Sequence, residues 1–248
     1  MRFLIHFSYD GSSFHGYQTQ PGYRTIQEEL ENAATKINNG EKVKVVASGR
    51  TDKKVHAYHQ VAHLDMNVSI SPKQVKRAMN RYLPSDIHVF EVEEVSSDFH
   101  ARYYVISKTY EYHLNMGEYN PIRRNYCYQH NYKLDIEAMK KAITYFIGTH
   151  DFRAFVTENS IKDNCVRTIT NASITLDDYY KDEIVFTFEG SGFLRYQVRN
   201  MVGLLIKVGT GKIDYKLVKE ILDSKVRGKY GTTAKAEGLY LKNIVLRS

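Results

Sequence analysis

Between two apolar stretches lies the polar run Ser48-Gly49-Arg50-Thr51-Asp52-Lys53-Lys54-Val55-His56-Ala57. A carboxylate beside an arginine and a hydroxyl can be kept ionised and aimed, either as a general base or as a nucleophile. Loops held by a rigid scaffold are where such groups usually work. The same residues also suit an ordinary exposed turn, in which Arg50, Thr51 and Asp52 form only local hydrogen bonds. Tyr110 lies in the alternating segment 108–115, where a tyrosine is equally a core residue. Arg199 follows Arg195 by one helical turn, the pattern of a solvated basic stripe. Yet Val198, Met201, Val202 and Leu205 around it are apolar, so a guanidinium there calls for a buried carboxylate partner.

Two other patterns do not carry chemistry. His56, His59 and His63 suggest zinc, but the three cannot share one face of a strand, and no Cys or carboxylate completes a known ligand spacing. Gly209-Thr210-Gly211-Lys212 fails as a phosphate loop. Ile206 stands where the first glycine belongs, and Ile213 where Ser or Thr is required. That segment reads as the end of an apolar helix.

The elements that must position these residues follow from periodicity. Residues 2–9 alternate, with Phe3, Ile5, Phe7 and Tyr9 on one face, a strand rather than a leader segment. A helix over 25–38 has Thr25 as its cap, Glu28 completing a capping box, and the stripe Ile26, Leu30, Ala33 and Ile37. Strands follow at 42–47 and 58–66. Ser71 and Pro72 open a helix that turns Val75, Met79 and Leu83 inward, and 87–95 is a fourth strand. The order β-α-β-β-α-β is the split βαβ, or ferredoxin-like, unit.

The second half repeats it with longer connections. A strand over 108–115 precedes a basic, Tyr-rich stretch at 123–132. Asp135 caps a helix with the stripe Met139, Ala142, Ile143 and Phe146, which Gly148 ends. Strands at 166–175 and 183–189, helices at 194–207 and 214–223, and a strand at 238–246 complete the chain. The fold class is therefore α+β, with two ferredoxin-like domains, 1–103 and 104–248.

Composition bounds the partners. The 248 residues are 42% hydrophobic and 25% charged, enough for a sizeable core. No run approaches the roughly 20 apolar residues of a membrane span. With Cys127 and Cys165 as the only cysteines, a disulfide framework is excluded and a reducing cytoplasm expected. The net charge of +7 falls mostly in the second half, where 22 Lys and Arg face 16 Asp and Glu. Twenty Tyr and no Trp add flat faces for base stacking, although A·T-rich coding enriches the same residues.

The loop carries a resemblance. Gly49-Arg50-Thr51-Asp52, then Val55-His56-Ala57 and Gln60-Val61-Ala62-His63, resembles the signature of the TruA-type tRNA pseudouridine synthases. Further matches follow in the family's order: Tyr9-Asp10-Gly11 through Gly16-Tyr17-Gln18, Thr25-Ile26-Gln27, Phe99-His100-Ala101-Arg102 and Lys108-Thr109-Tyr110-Glu111-Tyr112. His150-Asp151-Phe152-Arg153-Ala154-Phe155, the run from Phe193 to Gly203, and Gly238-Leu239-Tyr240-Leu241 complete them. The resemblance implies two ferredoxin-like halves around a central basic RNA-binding cleft, and a reaction that detaches a uridine base, rotates it and rejoins it through C5. It implies no cofactor and no metal. Asp52 corresponds to the essential carboxylate, Tyr110 to the tyrosine under the target base, and Arg199 to the arginine paired with the carboxylate. Arg50 corresponds to the residue that enters the RNA as the base leaves the stack, lowering the cost of flipping. Lys53, Lys54, His56, Arg102, Lys108 and Arg195 are the remaining candidate RNA contacts. The implied partners are the tRNA anticodon arm, at positions 38–40, and a second copy of the chain in a homodimer.

The sequence departs from the family pattern at two positions, as a divergent paralogue would. Lys54 stands where Gly is usual, a place suited to positive φ, and could add a phosphate contact. Lys235 stands where Pro is usual. The alternatives are an RNA-binding paralogue with weak or no catalysis, and a synthase acting on another RNA such as ribosomal RNA. A glycosidase is remote, because no second acid near Asp52 offers itself.

Overall fold

The computed structural model describes residues 1–157, 164–228 and 231–247. The chain forms two compact units, one of Met1–Ile106 together with the C-terminal stretch from Tyr240, the other of Ser107–Leu239. The boundary thus falls three residues beyond the expected 103. The last strand, expected in the second domain, is grouped with the first.

In the first unit, β1 (Arg2–Tyr9), α1 (Ile26–Ile37), β2 (Val45–Ala47), β3 (His56–Asp65), α2 (Pro72–Tyr82) and β4 (Ile87–Val95) follow the expected order. Strand β1 is the antiparallel neighbour of both β3 and β4, and β2 pairs with β3, giving the order β4-β1-β3-β2 of a split βαβ sheet. The final strand, β10 (Leu239–Leu246), runs parallel to β3, with Tyr240 beside His56 and Leu241 beside Ala57. Alternation buries Phe3, Ile5 and Phe7 completely. The helical stripes Ile26, Leu30 and Ala33 on α1, and Val75 and Met79 on α2, are equally buried.

The two helix starts contrast. Ser71 caps α2 in a full capping box with Gln74, behind Pro72. Thr25 precedes α1 as expected, but its side chain caps nothing and the box with Glu28 does not form. The helix's first amides are satisfied elsewhere: Ile26 N donates to Gly16 O at 3.3 Å, and Gln27 N to Tyr17 O at 2.9 Å. This ties the segment 14–17 to the start of α1.

Beneath the same sheet, the amide of Ala101 donates to His63 Nδ1 at 3.2 Å. Burial, with the charges of Arg2 and His100, brings the His63 pKa down to about 4. The unfolded chain, with an ordinary histidine near pH 6.5, therefore binds more protons between those values. His63's contribution is fully present above about pH 6.5 and is lost as pH falls toward 4. We expect urea unfolding to show wild type losing about 2 kcal/mol between pH 7 and pH 5 that His63→Gln does not lose.

The second unit contains β5 (Val105–Asn115, from Ser107 onward), β6 (Tyr128–Gln129), α3 (Ile136–Ile143), β7 (Gly148–Asp151), β8 (Val166–Leu176), β9 (Glu183–Gly190), α4 (Gln197–Gly209) and α5 (Leu217–Ser224). Its sheet runs β5-β9-β8-β7, antiparallel along that path, with β6 paired in parallel to β5. Asp135 caps α3 by accepting from Ala138 N, and Met139, Ala142, Ile143 and Phe146 are buried as the stripe requires. Gly148 does not end that helix: a 3₁₀ turn over Thr144–Phe146 intervenes, and Gly148, at φ +115°, opens β7. Helix α4 ends at Gly209 with Thr210 as its C-cap, so Gly209-Thr210-Gly211 is a helix terminus. Cys127 and Cys165 are buried and form no disulfide. Among the described residues, no helix is long and apolar enough to cross a membrane.

Candidate active site

The loop between β2 and β3 is held from both sides. Ser48 Oγ donates to Gln60 Oε1 at 2.7 Å, and Gln60 Nε2 donates to Gly49 O at 3.2 Å. The buried hydroxyls of Tyr9 and Thr51 lie 2.8 Å apart. Burial pushes the Tyr9 phenol up to about 12, so it stays neutral and the bond persists across the physiological range. From the other side, Tyr17 N donates to Thr51 O at 3.1 Å and Lys54 N to Phe14 O at 3.4 Å. Gly16, at φ +97°, lies so close that an added Cβ would sit 3.0 Å from Thr51 O. Helix α1, the segment 14–17 and the loop thus form one continuous frame.

At the tip, Val55 N donates to Asp52 O at 3.1 Å and closes a turn over residues 52–55. Asp52 is half-buried, while Arg50, Lys53 and Lys54 are exposed. A carboxylate at the edge of solvent, flanked by exposed cations on a fixed loop, can meet a polyanion and keep its own orientation. Arg102, near the end of the same unit, is also exposed, its amide bonded to His100 Nδ1 at 3.2 Å.

His56 departs from expectation. It is 2% exposed, its Nδ1 accepts from Gly11 N at 3.1 Å, and its ring stacks on Tyr240 at 4.6 Å. With that little surface it anchors the exit of the loop and has no face to offer RNA.

The second unit carries its own candidates. Tyr110 stands opposite Phe188 across the β5–β9 ladder, with Phe193 edge-on at 5.2 Å. It is half-buried and so not a sealed core residue. Lys108, opposite Gly190, is half-buried as well. Arg199, in the first turn of α4, donates from Nε to Ala234 O at 2.8 Å, and Ala234 N returns a bond to Arg199 O at 3.0 Å. The guanidinium groups of Arg195 and Arg199 lie 4.8 and 5.3 Å from the Tyr196 ring. Tyr196 itself has φ +62°, rare for a bulky residue, and starts α4 three residues later than the apolar pattern indicates.

Comparison with known proteins settles the kinship. The sequence profile described as tRNA pseudouridine synthase matches residues 5–104 and 142–245. The chain is 43% identical to tRNA pseudouridine synthase A of Streptococcus mutans, over 99% of this chain and 98% of that protein. It is 44% identical to the protein of that name from Streptococcus pyogenes serotype M1, with 98% of each chain covered. This chain belongs to the tRNA pseudouridine synthase family. Among solved structures it aligns with a chain from an H/ACA RNP bound to a substrate RNA containing 2'-deoxyuridine, at 14% identity and a TM-score of 0.31. That alignment spans 83% of this chain and 53% of the other, and is too distant to bear on the site.

Against the TruA-type pattern, the departure at Lys54 has a structural reading. Its φ is +65°, the conformation for which glycine suits the position. A non-glycine residue pays roughly 1–2 kcal/mol there, partly offset because glycine is freer in the unfolded chain. Lys54→Gly is therefore expected to raise stability by about 0.5–1 kcal/mol, read as a shift of the urea midpoint at constant slope. The turn forms with lysine in place, so the substitution costs stability without removing the loop.

Gln60 and Tyr9 were not among the candidate residues, though both belong to the motif segments that carry the resemblance. Their role is to hold the loop. Tyr196 gave no signal, since tyrosine does not announce a left-handed backbone.

Proposed function

We propose that this chain isomerises uridine to pseudouridine in tRNA, at positions 38–40 of the anticodon stem-loop, with Asp52 as the essential carboxylate. The observation that carries this reading is the half-buried Asp52 on a loop fixed from both flanks, in a chain of the tRNA pseudouridine synthase family. In the reaction the bond from C1′ of the ribose to N1 of the base breaks and one from C1′ to C5 forms. A proton leaves C5 and N1 gains one, so atoms and electrons balance within the nucleotide.

Asp52 acts at the base or the sugar, Tyr110 packs beneath the target base, and Arg199 pairs with the carboxylate. Arg50 fills the stack when the base leaves it. Lys53, Lys54, Arg102, Lys108 and Arg195 contact phosphates, so affinity falls steeply with salt. The working form is a homodimer. The formed turn at Lys54 favours an active enzyme over an RNA-binding paralogue that has lost turnover.

The test is an anticodon stem-loop tritiated at C5 of its uridines. Release of tritium to water, abolished when positions 38–40 are cytidine, is the expected result. Release that survives the replacement moves the target elsewhere in the RNA. No release from this stem-loop, whole tRNA or ribosomal RNA overturns the enzymatic reading.

A further inference from the structure

Residues Leu194 to Gln197 form a closed turn at the start of α4. Gln197 N donates to Leu194 O at 3.1 Å, and Leu194 N donates to Gln197 Oε1 at 2.8 Å; both residues are buried. Tyr196 takes the third position of that turn at φ +62° and ψ 0°, where glycine or asparagine is usual. Its carbonyl accepts from Asn200 N at 2.9 Å and begins the helix. The backbone is therefore pinned on both sides of residue 196, and a bulky side chain there carries a steric cost that glycine would not. Asn39 and Asn131 also have positive φ, but asparagine tolerates it. Strain of this kind persists where the surroundings impose it, and it points to function.

The side chain does not serve the helix, because Tyr196 makes no cap hydrogen bond. Its ring lies against two arginines instead. The guanidinium carbon of Arg199 is 5.3 Å from the ring centre and that of Arg195 is 4.8 Å away. Arg195 Nη2 also donates to the Tyr196 hydroxyl at 3.1 Å. Arg199 is held at a second point, where its Nε donates to the buried Ala234 carbonyl at 2.8 Å. One hydrogen bond through Nε does not set the plane of a guanidinium. An aromatic ring packed beside it restricts that plane. The terminal nitrogens then keep one direction, which a planar, fork-type contact with a carboxylate requires.

We propose that Tyr196 is a positioning residue for the isomerisation, its ring fixing the plane of the Arg199 guanidinium. The inference rests on the reading that Arg199 pairs with the Asp52 carboxylate. A pair of that kind stabilises the charged carboxylate only while the fork stays aimed at it, so a guanidinium that swings costs rate rather than fold. The hydroxyl has a separate part. It orients Arg195, a phosphate contact, and so bears on RNA affinity and not on the chemical step. Ring and hydroxyl of one residue thus act on different measurable quantities.

Single-turnover tritium release from the labelled stem-loop, with enzyme in saturating excess, is measured beside filter binding for Tyr196→Gly and Tyr196→Phe. Glycine suits this backbone, so Tyr196→Gly keeps its fold, as its urea midpoint will show. Its rate is expected to fall roughly tenfold to hundredfold. Tyr196→Phe restores most of that rate and weakens RNA binding a few-fold. In the double variant Tyr196→Gly, Arg199→Lys the release is no slower than in Arg199→Lys alone, because the ring acts through that guanidinium. A Tyr196→Gly rate within about twofold of wild type overturns the proposal, as does a Tyr196→Phe rate as low as that of Tyr196→Gly. Losses that multiply in the double variant overturn it too, since the ring would then act elsewhere. The two readings fail separately: a wild type that releases no tritium overturns the isomerase and this role with it, whereas an active wild type matched by Tyr196→Gly overturns the role alone.

Discussion

Asp52→Asn is expected to lower the rate of tritium release by roughly 10⁴-fold or more, while RNA affinity changes by only a few-fold. The substitution keeps the shape of the side chain and removes its charge and nucleophilicity. Several contacts that hold the loop survive the substitution: Val55 N binds the Asp52 carbonyl, Thr51 is held by Tyr9, and Gln60 bridges Ser48 and Gly49. The variant should therefore fold as wild type does, with a melting temperature within a few degrees. Single-turnover assays on the labelled stem-loop, alongside filter binding, separate chemistry from affinity. A variant within about tenfold of wild type would remove Asp52 from the chemical step and return the loop to the role of an ordinary turn.

What the sequence reveals of this fold follows the strength of its periodicities. Strand β1 and helices α1 and α2 are legible because Phe3, Ile5 and Phe7 alternate and Val75 and Met79 repeat at helical spacing. Strand β7 is not, since Gly148-Thr149-His150-Asp151 has neither alternation nor β-branched enrichment. The Thr25 box does not form, and the carbonyls of Gly16 and Tyr17, which local sequence cannot place, take the first two helical amides instead. The site divides the same way. Asp52 and its loop stand out as a polar run between apolar strands. Lys54 is readable only through the resemblance, which marks a glycine position and so a sign of φ. The burial of His56 depends on Gly11 and Tyr240, the second of which lies at the far end of the chain.

Gly11→Ala provides the largest expected structural effect and tests whether the frame behind the loop sets the position of Asp52. The glycine has no unusual φ, so the argument is steric alone. A Cβ at this position would lie 2.1 Å from Val55 O and 2.6 Å from Val55 C, both backbone atoms. Neither can swing aside as a flexible side chain would. Either residue 11 retreats, which breaks the Gly11 N bond to His56, or Val55 moves and takes with it the amide that closes the turn onto Asp52. We expect a loss of about 2–4 kcal/mol in urea unfolding. Among molecules that remain folded, the isomerisation rate should fall by roughly 10²-fold, the usual cost of moving a catalytic group by about 1 Å. Gly192→Ala serves as the control. An added Cβ there meets nothing within 4 Å, so its stability should stay within about 0.5 kcal/mol of wild type. If Gly11→Ala matches that control in both stability and rate, the segment before α1 does not brace the loop. The placement of Asp52 would then rest on the Tyr9–Thr51 and Gln60 contacts alone.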